Sequence, residues 1–387
     1  MQQNAWIDFV VPSRLHFERD SLFKIGAYLA RFGSRALLVN IRKDQKNQEE
    51  LTLLKNGLTK HLDGCILFDD LYGIPDTEQI DSAAYFTKKS NANLIVAFGG
   101  LDTINSAKAI AILASNNTFA ADLLAGKSEA KEPALPLVTI PMEITLGEEL
   151  TPYFTILDAN SGTRKFYEHE SIHPVATFYD TKVCSHLTSD MAASMGGAML
   201  VYAIESILRP KVNPIANTLI LKALDTIKKN LPGFYRQPQE EKLLTGLMWA
   251  SAMTGVSLIT NRLGVCWSLA TAITAYTDID FYYALCIVLP HVMEYYLTAT
   301  PGQFVNIAKS LDEDVKDISV IEAAIKAVEA VRKLFMEVNL PTRLSDFNIS
   351  KAVISDIASA TVQFTQMKNS PRPLDQNEVE TLLLAAY

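Results

Sequence analysis

Histidine is scarce in this chain: six residues in 387, with none between His186 and His291. Imidazole is the usual neutral metal ligand and general base near pH 7, so the whole stretch between those two positions lacks such a group. Cysteine is scarce too. Cys65, Cys184, Cys266 and Cys286 are scattered, with no CxxC pair and no matching histidine pair. That excludes a zinc ribbon and a disulfide framework and predicts reduced, mostly buried thiols in a cytoplasmic protein. Positive charge is in deficit: 35 Lys and Arg against 43 Asp and Glu leave a net charge of −8. Broad nucleic-acid or acidic-membrane binding needs clustered cations and is therefore not expected. The most apolar stretch, residues 246–276, is interrupted by Asn261 and Arg262, which predicts a buried helix pair rather than a membrane span. The N-terminal residues lack the basic-then-apolar pattern of a signal peptide. GxSxG, P-loop and HExxH motifs are all missing.

What remains is a compact two-domain composition, 49% hydrophobic and 20% charged. The first half alternates short β-rich runs with amphipathic stretches. Strands are expected at residues 7–11, 36–41, 65–68, 94–98, 137–140, 154–157 and 175–179, with helices at 21–31, 49–61 and 77–89. That alternation predicts βαβ units and a Rossmann-like, mostly parallel sheet in an α/β domain over residues 1–185. Beyond His186 the strand signals stop. Helices are expected at 189–208, 214–230, 240–260, 285–298, 320–337 and 349–363, punctuated by Pro210, Pro214, Pro232, Pro301 and Pro341. This second half, residues 186–387, reads as an all-α domain sharing a broad interface with the first. The segments 128–136 and 163–174 read as charged surface loops. His169 and His173, four apart but followed by Pro174, read as exposed rather than as a metal clip.

Seven segments together carry a family resemblance. AFGGLDTINSAKAIA (97–111) is similar to a GGGSxxDxAK dinucleotide loop, and IPMEITLGEELTPYFTILD (140–158) to IPTTxGTGSEVTxxxxxxD. MGGAMLVYAIES (195–206) resembles a GxDAxxHAIE helix, and RLGVCWSLAT (262–271) an LGxxHAxxH helix. LPHVMEY, NLPTRLSDFNI and NSPRPLDQNEVETLLLAAY follow in order. The pattern resembles the iron-containing (group III) alcohol dehydrogenases, with their dehydroquinate synthase-like fold. The resemblance implies an NAD(P) site on the α/β domain, a divalent metal held by one Asp and three His, a cleft between the domains, and a homodimer.

At the positions implied for the metal ligands stand Ala198, Tyr202, Trp267 and Phe281, and Thr271 replaces a further family histidine. The Trp267–Phe281 separation needs no gap against the family pattern. Tyr202, Glu205, Cys266, Asp278 and Asp280 are nearby donors, but no carboxylate–imidazole spacing survives. His291 reads as a helix histidine rather than a ligand. No bound iron or zinc is expected. In the dinucleotide loop Gly99, Gly100, Gly147 and Thr151 persist, while Leu101 and Asp102 replace a glycine and a serine. Asp102 is expected to cap a helix starting at Thr103. Glu148 is expected to add a second negative charge near the cofactor, and Ile41 replaces the acid that would hold a ribose. NAD or NADP binding is therefore expected to be weak or absent, with Lys165 and Arg164 available to offset the charge if their segment folds over the crevice.

Three functions follow. One is an alcohol dehydrogenase-like oxidoreductase by descent that has lost its metal-dependent chemistry, a pseudoenzyme acting as a binding or assembly protein. The second is a metal-independent NAD(P)-linked reductase or dehydrogenase of a small alcohol or carbonyl compound, with Tyr202 as the acid. The third is a non-redox binding protein that uses the old cleft for a different small-molecule ligand.

Overall fold

Short unbroken apolar runs build a parallel sheet in the first part of the chain. The computed structural model describes residues 9–41 and 47–387 and divides them into two units, Val11–Leu187 and Thr188–Tyr387, the latter including Phe9 and Val10. In the first, elements follow in the order β1 (Arg14–Phe17), α1 (Ile25–Leu29), β2 (Arg35–Ile41), α2 (Gln48–Thr59), β3 (Gly64–Leu71), α3 (Thr77–Lys89), β4 (Leu94–Gly99), α4 (Leu101–Ser115), α5 (Ala120–Leu124), β5 (Leu137–Pro141), β6 (Tyr153–Asp158), β7 (Thr163–Glu168) and β8 (Ala176–Tyr179). Six strands form one sheet in the order β1-β8-β5-β4-β2-β3, every described pairing in it parallel. All side chains of β4 and β5 are buried, as strands covered on both faces require.

The chain leaves β2 towards β3 on one side and leaves β4 towards β5 on the other. The carboxyl ends of β2 and β4, at Ile41 and Gly99, therefore flank a topological switch point, the place where open α/β sheets receive ligands.

Three expectations for this unit need correction. Of the strand expected at 7–11, Ile7 and Asp8 lie outside the described residues, and Phe9–Val11 is not strand. The first strand starts at Arg14 instead, beyond Pro12, which has no N–H to give to a ladder. The expected strand at 154–157 forms, but in a separate antiparallel hairpin with β7. And the first half of the presumed loop 163–174 is β7 itself: Phe166 packs against Tyr153 (centroids 4.9 Å) and Tyr167 against Phe154 (5.4 Å). Cross-strand aromatic pairs outweigh the charges that made the segment look solvated.

The second unit is helical: α6 (Ser189–Ile207), α7 (Pro214–Arg236), α8 (Glu241–Leu258), α9 (Val265–Tyr276), α10 (Phe281–Tyr296), α11 (Pro301–Ser310), α12 (Val320–Glu337), α13 (Ile354–Thr361) and α14 (Gln376–Ala385), with no strand among its described residues. Every residue of α6 from Ala192 to Ile207 is buried. A helix apolar on all sides must be enclosed, and α7, α8, α9 and α10 pack around it. Pro232 does not end α7; buried Leu231 and Phe234 carry the helix on to Arg236, because tertiary packing outweighs one lost hydrogen bond. Capping boxes start α12 (Ser319 with Glu322) and α14 (Asp375 with Glu378). All four cysteines are free. Among the described residues no helix is long and apolar enough to cross a membrane.

Candidate cofactor and metal positions

Gly99 ends β4, and Gly100, in extended conformation, is the residue before α4. The helix thus starts at Leu101, directly off the strand and two residues earlier than expected. Asp102 lies inside the first turn and makes no cap. Its Oδ1 instead accepts from Arg164 Nη2 on β7 at 3.0 Å, both side chains only 14% exposed. The hairpin brings the cation to the acid, a pairing the sequence left open.

The open end of α4 is taken by a residue that sequence reasoning passed over. Glu143, two residues beyond β5, places Oε1 2.9 Å from the Leu101 N–H. A Cβ on Gly100 would sit 2.0 Å from that same oxygen, so the glycine is what admits the carboxylate so close. Just downstream, Leu146 (φ 61°) and Gly147 (φ 91°) form a left-handed turn that only glycine adopts without cost.

Glu148 does not project its charge towards solvent. It is buried, and its Oε2 accepts from Asn105 Nδ2 of α4 at 2.9 Å. Alongside lies Lys108, wholly buried, with Nζ donating to the Glu148 carbonyl, to Thr151 Oγ1 at 3.0 Å and to the Tyr153 carbonyl at 2.9 Å. Burial pushes this ammonium down to about 7 against the opposing pull of Glu148 and Glu149. Glu149, also buried, accepts from Thr145 Oγ1 and from Tyr179 Oη, each at 2.6 Å. Burial, reinforced by that carboxylate, holds the Tyr179 phenol well above its usual range. Thr151 and Glu148 are thus parts of an internal polar cluster. Ile41 is fully buried. His169 and His173 are half-buried, not exposed: His169 bonds locally to Ser171, and His173 Nδ1 lies 3.2 Å from the Leu150 carbonyl.

In the helical unit, Ala198 and Tyr202 are fully buried on α6, and Trp267 is 1% exposed on α9, edge-on to Phe364 at 5.5 Å. Phe281 is half-buried at the first position of α10, which packs against both other helices. Thr271, one turn beyond Trp267, is buried with no hydrogen bond to its hydroxyl among the described residues. Glu205, one turn beyond Tyr202, turns to the start of α9, where the Cys266 N–H lies 2.5 Å from Oε1 and the Trp267 N–H 3.4 Å from Oε2. Burial raises this carboxyl to about 7 despite those N–H groups. Asp280 caps α10 through the Tyr282 N–H at 2.9 Å, and Asp278 is exposed. His291 faces Glu294 at 3.8 Å, its pKa lowered mainly by burial. A separate cavity of about 570 Å³ is lined by Pro290, His291, Arg332, Phe335 and Arg343 and by none of Ala198, Tyr202, Trp267 or Phe281.

Two family models cover most of the chain. "Iron-containing alcohol dehydrogenase" matches residues 12–181 and "Fe-containing alcohol dehydrogenase family, C-terminal" matches residues 192–387. The chain belongs to the iron-containing alcohol dehydrogenase family. Among its relatives, the 1,3-propanediol dehydrogenase of Klebsiella pneumoniae is 23% identical over 98% of both proteins. The probable alcohol dehydrogenase EutG of Escherichia coli K12 is 27% identical over 81% of this chain and 78% of its own length. The crystallised alcohol dehydrogenase of Oenococcus oeni shares the fold, with a TM-score of 0.93 at 19% identity over 99% of this chain and all of that one.

Membership in the iron-containing alcohol dehydrogenase family raises the question of whether the side chains here fit the groups the family implies. For a divalent ion they do not. Ala198, Tyr202, Trp267 and Phe281, the positions that the resemblance implies for the ligands, offer one phenol and three hydrocarbon or indole side chains, and no three His, Cys, Asp or Glu among the described residues come together so as to hold an ion. For a dinucleotide the fit is also poor, because the glycine turn at the start of α4 already receives a carboxylate where a pyrophosphate would need its N–H groups.

Proposed function

We propose that this alcohol dehydrogenase-like oxidoreductase has lost metal-dependent alcohol and aldehyde chemistry and serves as a binding or assembly protein. The observation that carries this reading is the composition of the four positions that the motif resemblance implies for the ligands. Ala198, Tyr202, Trp267 and Phe281 present a single oxygen donor, and that phenol is on a fully buried residue. Hydride leaves an alkoxide far more readily than a neutral alcohol, and a Lewis acid is what makes the alkoxide accessible at neutral pH. With no donor set to hold such an acid, the family reaction loses its activating step. Gly99, Gly100, Asp102, Gly147 and Thr151 then remain as the frame of a cofactor site with weak NAD or NADP affinity at best. The burial of Tyr202 also counts against its use as the acid of a metal-free reductase, since its side chain offers no exposed surface to a substrate carbonyl.

The test is a turnover assay with 1,3-propanediol and short primary alcohols, and with the corresponding aldehydes, using NAD(H) or NADP(H) and added Fe(II) or Zn(II). The reading expects no turnover above the protein-free control. Sustained turnover abolished by a chelator would refute it. We read the protein as a cytoplasmic homodimer, to be checked by light scattering over a range of concentrations.

A further inference from the structure

We propose that Glu143 is an internal stand-in for phosphate: its carboxylate occupies the anion-receiving start of α4 and so determines that this chain refuses dinucleotides. The inference extends the reading above from the metal to the cofactor, and it can fail without it.

The start of a helix following a glycine turn is attractive to an anion for two reasons. Its first N–H groups have no partner within the helix, and the aligned peptide dipoles concentrate positive potential there. A ligand phosphate exploits both. Here Glu143 meets the same demand from within the unit, with Oε1 2.9 Å from the Leu101 N–H. The approach is closer than any side chain at position 100 would permit, since a Cβ there would lie 2.0 Å from Oε1 and 2.4 Å from Cδ. The contact therefore uses the property for which a phosphate-binding turn employs glycine, namely the absence of a side chain between anion and backbone. Glu143 is set in place by short covalent reach: it follows β5 by two residues, and the Met142 N–H bonds to the Gly99 carbonyl at 3.1 Å, tying its segment to the end of β4. Its charge is also felt nearby. Cys184 is held well above the usual thiol range, first by burial and next by Glu143.

A bound diphosphate would need the volume and the N–H that Glu143 holds, and would bring its own negative charge against the carboxylate. The other acids of the region do not duplicate this exclusion. Asp102 is paired with Arg164, and Glu148 and Glu149 are turned into the internal cluster. One side chain thus separates a closed turn from an open one.

The experiment compares full-length wild type with Glu143→Ala, Glu143→Thr and Glu143→Gln, each titrated with inorganic pyrophosphate, ADP and NAD by calorimetry and by thermal shift. Wild type is expected to show no saturable binding of any of the three. Glu143→Ala and Glu143→Thr should bind pyrophosphate and ADP at least about tenfold more tightly than wild type, with a rise in Tm on adding either anion. Glu143→Gln removes the charge but keeps the volume, so it should gain least. Micromolar binding of NAD or ADP to wild type overturns the proposal. So does a folded Glu143→Ala and Glu143→Thr pair, cooperative in thermal unfolding, that binds neither pyrophosphate nor ADP. Equal gains for Gln and Ala would overturn the claim that the carboxylate fills the turn and leave only charge repulsion. None of these outcomes alters the metal content or alcohol turnover on which the functional reading depends.

Discussion

Glu143 and Glu205 each reach from another element to the start of a helix, α4 and α9, and accept backbone N–H there, yet their surroundings make them different devices. Glu205 is enclosed. It is offered the N–H groups of Gly264, Cys266 and Trp267, its pKa rises to about 7, and the cavity beside it measures about 10 Å³, room for at most one water. It belongs to the architecture, and its motif, MGGAMLVYAIES, keeps the acid that the family pattern also has. Glu143 is only half-buried at a sheet switch point, where the family pattern has a threonine and a ligand would enter. The contrast teaches that a carboxylate at a helix start is evidence of a closed core in one setting and of a displaced ligand in the other. Exposure and topology tell them apart.

The comparison is sharpest where a carboxylate is added with no N–H groups to receive it. Ala198→Asp would bury an unpaired charge in the middle of α6, and we expect a loss of about 3–5 kcal/mol in urea unfolding, or a protonated side chain. Adding Tyr202→His, Trp267→His and Phe281→His supplies donors. The quadruple variant should be unstable alone and should gain Tm with zinc or ferrous iron. A well-folded quadruple variant indifferent to metal would show that these four positions do not converge as the family pattern implies.

Glu205→Ala should come next, leaving buried N–H groups unpaired at a cost of about 2–3 kcal/mol. Glu143→Ala should cost about 1 kcal/mol or less, because water reaches that helix end. Equal losses by chemical denaturation would erase the distinction between the two acids. A further effect is one of pH. Glu205 keeps its proton to about pH 7 when folded but loses it near 4.5 when unfolded, so its favourable contribution is complete below pH 4.5 and is lost as pH rises through 7. Glu205→Gln should therefore gain on wild type as pH rises across that window in thermal melts. Parallel curves would show that the carboxyl is not held protonated.

Much of the scaffold was legible because its signals are local. Residues 77–89 and 320–337 form helices over the expected spans, since Asp76 and Ser319 cap them and their apolar faces repeat at helical spacing. What was hidden depends on the approach of distant segments. The β7 strand is stabilised by aromatic pairs with β6 that only the hairpin creates. Asp102 looked like a cap because a chain position alone does not say whether a helix begins at residue 101 or 103, and its true partner, Arg164, is 62 residues away. Glu143 left no mark in the sequence beyond an acid in place of a threonine. Lys108 and Glu149 were equally silent, because burial, not spacing, gives them their character. That Ala198, Trp267 and Phe281 carry no metal-donor atom in their side chains was plain from residue type alone.

Metal content decides whether the four positions Ala198, Tyr202, Trp267 and Phe281 hold an ion. The protein should be expressed with iron and zinc supplied, purified without chelators, dialysed, and assayed by plasma mass spectrometry. Iron and zinc should both lie far below one per chain, unchanged in a Tyr202→Phe variant. Close to one iron or zinc per chain, lost when Tyr202 is changed, would contradict that expectation.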